Sequence, residues 1–265
     1  MTLPLDIGKI KPWLLSWLLA ALIYDENRIA DYVTGLLGLK CHFEGSDGGA
    51  EFFGIVIDER RGHAYLPYRG TDGYDPRGNL VSWAHNFDIK TSGDGVEDGF
   101  QKCGDIAFNR FKHYLYNVDT ASLQGHSKGG GVVPYEACLC AENLPNLKSI
   151  VVHPFANPPT GNALFERRFN GHVAAGKISG DRRILPGDPI ASKLFRLRVP
   201  PLNGVDVLDL IELPKIVRYK MGPANVLNHS CCMYNASIAV QVDKDATATW
   251  WDHSLPGIIH DRLVN

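Results

Sequence analysis

Gly125-His126-Ser127-Lys128-Gly129 sets a hydroxyl between glycines two positions away on either side. Small residues at those positions let a chain bend hard enough to lift a Ser out of a strand-to-helix turn, the geometry of an exposed nucleophile. A chain with 27 Gly can also produce so short a pattern without meaning, so its surroundings decide. Val118 to Gln124 ahead of it fits a short buried strand, and Val132 to Glu142 behind it has helical character. Strand, tight turn and helix together would raise the Ser hydroxyl above the carboxyl edge of a sheet. At the start of that helix the Lys128 N–H lacks an intrahelical partner and can donate to a developing oxyanion. The Lys128 side chain is not needed for that, and its plain reading is a solvated amine. Pro134, about two turns on, removes a helical hydrogen bond and predicts a kink.

A neutral Ser hydroxyl needs a His to take its proton and a carboxylate to orient that His. Where the nucleophile sits on such an elbow, the chain order is Ser, acid, His. His42, His63, His85 and His113 precede the Ser, and His126 is held on the turn with its ring directed away, so these read as packing or surface residues. Asp181 and Asp188 flank Arg182-Arg183-Ile184-Leu185, a strand candidate, and active groups gather where strands end. The acid is therefore Asp188, in a loop that Gly187 and Pro189 fix, because the residue before Pro is held extended; the competing reading of Asp188 is a plain turn residue. His153 and His172 precede the acid, which leaves His229, His253 and His260. His229 lies between an extended Ile216 to Tyr219 stretch and a periodic Met233 to Val240 helix, and is preferred as base over His253 near the chain's end.

Several motifs follow one another in a fixed order. Arg69-Gly70-Thr71 matches R-G-S/T, and Ser82-Trp83 through Asn86-Phe87-Asp88 matches W-x-x-N-L-D. Val96-Glu97-Asp98-Gly99-Phe100 follows V-H-x-G-F, and Gly125 to Gly130 follows G-H-S-L-G-G. Asn157-Pro158-Pro159-Thr160-Gly161-Asn162 fits G-x-P-R-V-G-N; Arg183-Ile184 with Gly187-Asp188-Pro189-Ile190 fits R-V-V-x-x-x-D-x-V. In these motifs, over about residues 50–235, the chain resembles the class 3 lipases, the fungal-lipase-like branch of the α/β-hydrolases.

The resemblance implies Ser127 as nucleophile, Asp188 as acid, His229 as base, and Thr71 with the Lys128 amide as oxyanion hole. It also implies hydrolysis of lipid or other carboxylic esters through an acyl-enzyme. Lys128 in place of Leu, Pro158-Pro159 in place of G-x-P, and Glu97-Asp98 in place of a His mark a divergent member of bacterial type. The segment 73–82 stands where such lipases carry a lid, with Gly73 and Gly78 as hinges and Tyr74, Leu80, Val81 and Trp83 able to meet lipid. An ordered surface loop is the equal alternative. Rival functional readings are a phospholipase acting on membranes as a toxin-like effector, and a non-catalytic lipid-binding or interaction module, since fold does not dictate function.

The 265 residues suffice for one α/β domain with a well-buried core. A formal charge of −2 and no basic run beyond a doublet leave no footprint for nucleic acid. The doublets Arg60-Arg61, Arg167-Arg168 and Arg182-Arg183 could face anionic lipid head groups, although scattered surface charge explains them as well. The six Cys, at 41, 103, 138, 140, 231 and 232, lack C-x-x-C spacing and read as packing residues. No metal-ligand spacing is present, and neither a metal nor a cofactor is expected. Trp13 to Tyr24 is apolar apart from Ser16, too short to span a bilayer. Lys9 and Lys11 ahead of it suit a signal-peptide core, but no A-x-A-like site follows, so a buried first helix over 12–34, ended by Gly35 to Gly38, is preferred. A cytoplasmic or non-classically secreted protein is the matching expectation for location.

The expected frame is one domain over 1–265, opening on a helical segment within 1–40. Strands are expected at Glu51 to Asp58 and His63 to Arg69, then a helix from Phe100 to Tyr116. The elbow strand and its helix follow, then strands at Leu147 to His153, Arg182 to Leu185, Val205 to Leu213 and Ile216 to Tyr219. Strands alternating with helices imply a mostly parallel sheet covered by helices on both faces, an α/β fold.

Overall fold

Among the described residues, seven strands run side by side in the same order as in the chain. They are β1 Lys40–Gly45, β2 Phe52–Asp58, β3 His63–Tyr68, β4 Thr120–His126, β5 Ser149–Phe155, β6 Ile178–Ile184 and β7 Asp206–Asp209. This computed structural model describes residues 10, 12–45, 52–70, 91–184, 188 and 206–209. The expected strand at Ile216 to Tyr219, the helix at Met233 to Val240 and the segment 73–82 lie outside the described residues.

The direction of each pairing follows from what connects it. β1 to β2 and β2 to β3 are antiparallel, the second joined by a turn in which Gly62 takes φ +58°. From β3 to β7 every pairing is parallel. Parallel neighbours need long crossovers. Three helices supply the first three of these crossovers, α3 Asp98–Leu115, α4 Lys128–Asn143 and α5 Ala163–Ala174, while most of the β6 to β7 connection lies outside the described residues. Ahead of the sheet lie α1 Pro12–Leu22 and α2 Ile29–Leu36.

Helices cover both faces. On one, Phe100 and Phe111 of α3 and Val132 and Val133 of α4 meet Leu66, Leu123, Ile150 and Val152 of the sheet. On the other, Trp17, Leu18, Leu19 and Ile23 around α1 meet Val56, Tyr65 and Phe155. Each fully buried large apolar side chain contributes about 1.5–3 kcal/mol, so these two layers dominate stability. Among the described residues no helix is long and apolar enough to cross a membrane.

The expected single helix over 12–34 is instead two. Asp25 N–H bonds the Leu22 carbonyl at 2.9 Å, and the Arg28 and Ile29 amides bond the Asp25 carbonyl at 3.0 and 2.9 Å, closing a turn between α1 and α2. Asp and Asn compete with helical bonding through their own side chains, which favours a turn at Tyr24-Asp25-Glu26-Asn27. α2 does end where glycine was expected, with Gly38 at φ +64°.

Two elements were not foreseen. β1 is an edge strand of partly exposed residues, K-C-H-F-E-G, without an apolar run. α5 buries Phe165 and Phe169 alone, and its start is marked by Asn162, whose side chain accepts from the Leu164 amide at 2.8 Å. That Asn cap was a readable signal.

Candidate active site

Ser127 takes φ +58° and ψ −125° at the junction of β4 and α4. A non-glycine residue in such backbone stores about 1–3 kcal/mol, retained where the surroundings over-determine it. Here they do: the Ser127 amide donates to the Phe155 carbonyl at 2.9 Å, and its carbonyl accepts from Gly131 at 3.1 Å. Its hydroxyl does not cap α4.

The flanking glycines are required by close backbone approach. A Cβ on Gly125 would lie 2.4 Å from the Gly129 carbonyl carbon; one on Gly129 would lie 2.3 Å from the Tyr68 oxygen. On Gly130 it would meet the Gly125 oxygen at 2.8 Å, and on Gly131 the Phe100 ring at 2.6 Å. These contacts explain how α4 can begin at Lys128, the expected start, ahead of the apolar run that opens at Val132. Three successive glycines are poor helix formers, but only they let the first turn press against β3, β4 and Phe100. The helix runs on through Pro134 to Asn143, and the Thr160 hydroxyl donates to the Gly131 carbonyl at 2.9 Å in the turn ahead of that proline. Lys128 is the first residue of α4, so its amide stands at the helix N-terminus beside Ser127.

Gly70, just past β3, lies against the elbow. A Cβ there would sit 3.2 Å from the Ser127 Cβ, 2.7 Å from the His126 carbonyl oxygen and 2.1 Å from the Tyr24 hydroxyl. The chain therefore leaves β3 alongside Ser127, immediately before Thr71. Thr71 itself, with Tyr74, Leu80, Val81 and Trp83, lies outside the described residues. Asp188 is fully buried, four positions beyond the end of β6. His229 also lies outside the described residues, as do His85, His253, His260, Cys231 and Cys232.

The described histidines before the acid have structural partners. His126 Nδ1 lies 3.0 Å from the Tyr24 hydroxyl, and its ring packs edge-on to Trp17. His63 bonds Ser122 at 2.8 Å through Nε2, and burial lowers its pKa to about 4, so it stays neutral. His153 bonds Asp181, which also pairs with Arg183 at 2.5 Å, and the Arg183 guanidinium stacks 3.9 Å over Trp13. His42 pairs with Glu44 at 2.6 Å and His172 with Glu142 at 3.0 Å, while exposed His113 lies against Tyr114.

The motif loops converge at the carboxyl edge. Glu97 caps α3 by accepting from Phe100 N–H at 2.9 Å, so the acidic pair at 97–98 serves the helix start. Its amide donates to the Thr160 carbonyl at 3.0 Å, and Asn162 N–H to the Gly95 carbonyl at 2.8 Å, tying V-E-D-G-F to N-P-P-T-G-N. Arg182 fixes the latter loop through Asn157, with contacts of 2.6 Å to its side-chain oxygen and 2.9 Å to its carbonyl.

Beneath the elbow lies a pair that sequence reasoning missed. The Tyr68 hydroxyl donates to Glu136 of α4, a fully buried carboxyl. Burial pushes Glu136 up to about 8, so it is protonated at neutral pH. Its second oxygen has no hydrogen-bond partner among the described residues. Nothing in the helical pattern of α4 distinguishes this Glu from a surface one, because the face it occupies is set by β3. Cys41, Cys138 and Cys140 are free thiols, and among the described residues no group of three or more His, Cys, Asp or Glu could hold a metal ion.

Solved structures share this architecture. Triacylglyceride lipase of Rhizomucor miehei matches with a TM-score of 0.57 and 16% identity, over 82% of this chain and 91% of that one. Lipase II from Rhizopus niveus matches with a TM-score of 0.53 and 16% identity, over 67% and 72%. A triacylglycerol lipase from Penicillium expansum matches at 0.51 and 15%, over 76% of each chain. No family model matches the chain, and no curated protein sequence does. At such identities the likeness is one of fold: a mostly parallel sheet flanked by helices, the α/β-hydrolase fold.

Proposed function

We propose that this chain is a serine hydrolase of carboxylic esters, acting on lipids through an acyl-enzyme. The observation that carries this reading is Ser127, held at positive φ on a glycine-lined elbow with Gly70 packed against it. The fully buried Asp188, four positions past β6, supports it, because a carboxylate is buried only with partners. That the solved structures sharing the fold are lipases by name supports it further.

In this reaction His229 accepts the Ser127 proton as the oxygen bonds to the ester carbonyl carbon. The carbonyl electron pair moves to oxygen, where the Thr71 and Lys128 donors stabilise it. As the intermediate collapses, the ester C–O bond breaks and His229 returns the proton to the leaving alcohol. Water then attacks the acyl-enzyme by the same route in reverse, releasing the acid and restoring Ser127. Asp188 orients His229 and stabilises it while charged. The segment 73–82, with Tyr74, Leu80, Val81 and Trp83, serves as the lid over this site.

For the phospholipase alternative the arginine doublets divide: Arg60 and Arg167 are exposed, while the other members are held by partners in the fold. Arg61 pairs with Asp58 at 3.5 Å, Arg168 with Glu142 at 2.6 Å, and Arg182 and Arg183 are held by Asn157 and Asp181. A panel of p-nitrophenyl esters of rising acyl length, with triglyceride and phosphatidylcholine emulsions beside it, tests the reading. Ester cleavage is expected, with rates that jump when substrate passes from monomers to aggregates and with triglyceride preferred to phospholipid. No cleavage of any ester contradicts the proposal; a smooth saturation curve removes the lid; a preference for phospholipid transfers the activity to the alternative.

A further inference from the structure

The turn between α1 and α2 reaches across to the candidate site at two points. At the first, the Tyr24 hydroxyl bonds His126 Nδ1 at 3.0 Å and rests on the bare Cα of Gly70. That missing side chain is flanked on one side by Tyr24 and on the other by the Ser127 Cβ, at 2.1 and 3.2 Å from where a Cβ would stand. At the second point, Glu26 forms an ion pair with Arg69, whose buried guanidinium lies 5.5 Å over the Phe52 ring. The backbone of Arg69 is fixed in turn by its amide bond to the Phe52 carbonyl at 2.9 Å. Both residues just before Thr71 are thus gripped by this turn, and one grip also holds the residue before Ser127.

We propose that the α1–α2 turn is a clamp that sets the gap between the nucleophile elbow and the strand end carrying the oxyanion donor, with Tyr24 as its main positioning residue and Glu26 as its second. The inference rests on the functional reading above. Its physical basis is tolerance: oxyanion donors stabilise charge only within hydrogen-bond reach, and a shift of about 1 Å can cost about a hundredfold in rate. Without the Tyr24 hydroxyl the bond from this turn to the His126 ring is lost, and the β3–β4 pairing that ends at Tyr68 and Gly125 is left to fix the gap with less support from the turn. Tyr24 donates nothing to the substrate. It acts through where it holds Gly70 and His126.

The test uses the full chain and p-nitrophenyl butyrate, with a trifluoromethyl ketone as mimic of the tetrahedral adduct. Tyr24→Phe keeps the ring and removes the hydroxyl. It is expected to lower kcat by about tenfold with KM within about twofold, and to weaken the ketone by about the same factor as kcat/KM. Glu26→Gln keeps an oxygen acceptor for the buried Arg69 while removing the charge, and is expected to lower kcat about threefold by loosening Arg69, with a thermal melt in parallel to separate this from unfolding. Tyr135→Phe removes a comparable hydroxyl bond, to Asp105 at 2.7 Å, and leaves kcat unchanged. An active wild type whose kcat survives both Tyr24→Phe and Glu26→Gln, or whose Tyr24→Phe loss appears equally in Tyr135→Phe, overturns the clamp alone. A wild type that cleaves no ester and binds no ketone overturns the functional reading and the clamp with it.

Discussion

Ser127→Ala is expected to lower ester turnover at least ten-thousandfold while leaving the thermal midpoint within a few degrees of wild type. The rate loss follows from the role of the oxygen. Without it no acyl-enzyme forms, and what remains is the modest acceleration that binding and an oxyanion hole give to direct attack by water. The unchanged fold follows from the position. The Ser127 hydroxyl does not cap α4, and the elbow is held by the backbone bonds to Phe155 and Gly131, which Ala retains. Ala also tolerates positive φ about as poorly as Ser, so the stored strain is nearly the same. Steady-state rates on p-nitrophenyl butyrate, with circular dichroism melts in parallel, check both halves. A variant that keeps a tenth of the wild-type rate assigns the chemistry to another residue.

Glu136 yields the largest expected effect on stability. Its carboxyl lies near 4.5 in the unfolded chain and is raised to about 8 by burial in the fold, with Tyr68 donating to it. The folded state therefore holds a proton that the unfolded state has released. A group raised in this way contributes stability that is complete below pH 4.5 and is lost as pH climbs towards 8. The slope is about 1.4 kcal/mol per pH unit, which over this window amounts to several kcal/mol. Glu136→Gln keeps an acceptor for Tyr68 and cannot titrate. Urea denaturation at several pH values should show wild-type stability falling relative to Glu136→Gln across the window, with the variant the more stable at alkaline pH. Parallel curves would mean that Glu136 does not carry its proton into the folded state.

The parts of this fold that were legible in the sequence are those whose physics is local. The β2 to β3 hairpin, α3, the elbow strand and the mostly parallel character of the sheet all follow from apolar runs, turn residues and the glycines around Ser127. What escaped depends on contacts across the molecule. The first turn of α4 is helical because Gly129, Gly130 and Gly131 meet Tyr68, Gly125 and Phe100, and no propensity scale anticipates that. The break between α1 and α2 was written in Asp25 and Asn27 but hidden by the apolar run before them. β1 went unseen because an edge strand with one side in water has little pattern to show.

The candidate site divides along the same line. Ser127 and Asp188 were singled out from local motifs and chain order, and Gly70 from the R-G-T sequence. Tyr24 and Glu136 were not, because each acquires its meaning only from a strand or helix far along the chain. Asp181 and His153 show the opposite hazard. They form an acid–base pair of suitable types, yet they bond each other under Trp13 and Arg183 on the α1 face of the sheet.

The central claim is that Ser127 is made nucleophilic by His229 and Asp188. Labelling with a fluorophosphonate, followed by peptide mapping and rate measurement, tests it most directly. The account predicts one phosphonyl group per chain, on Ser127, attached at a rate that His229→Ala reduces at least a hundredfold and that Asp188→Asn reduces severely. An adduct on any other residue, or His229→Ala labelling at the wild-type rate, would contradict it.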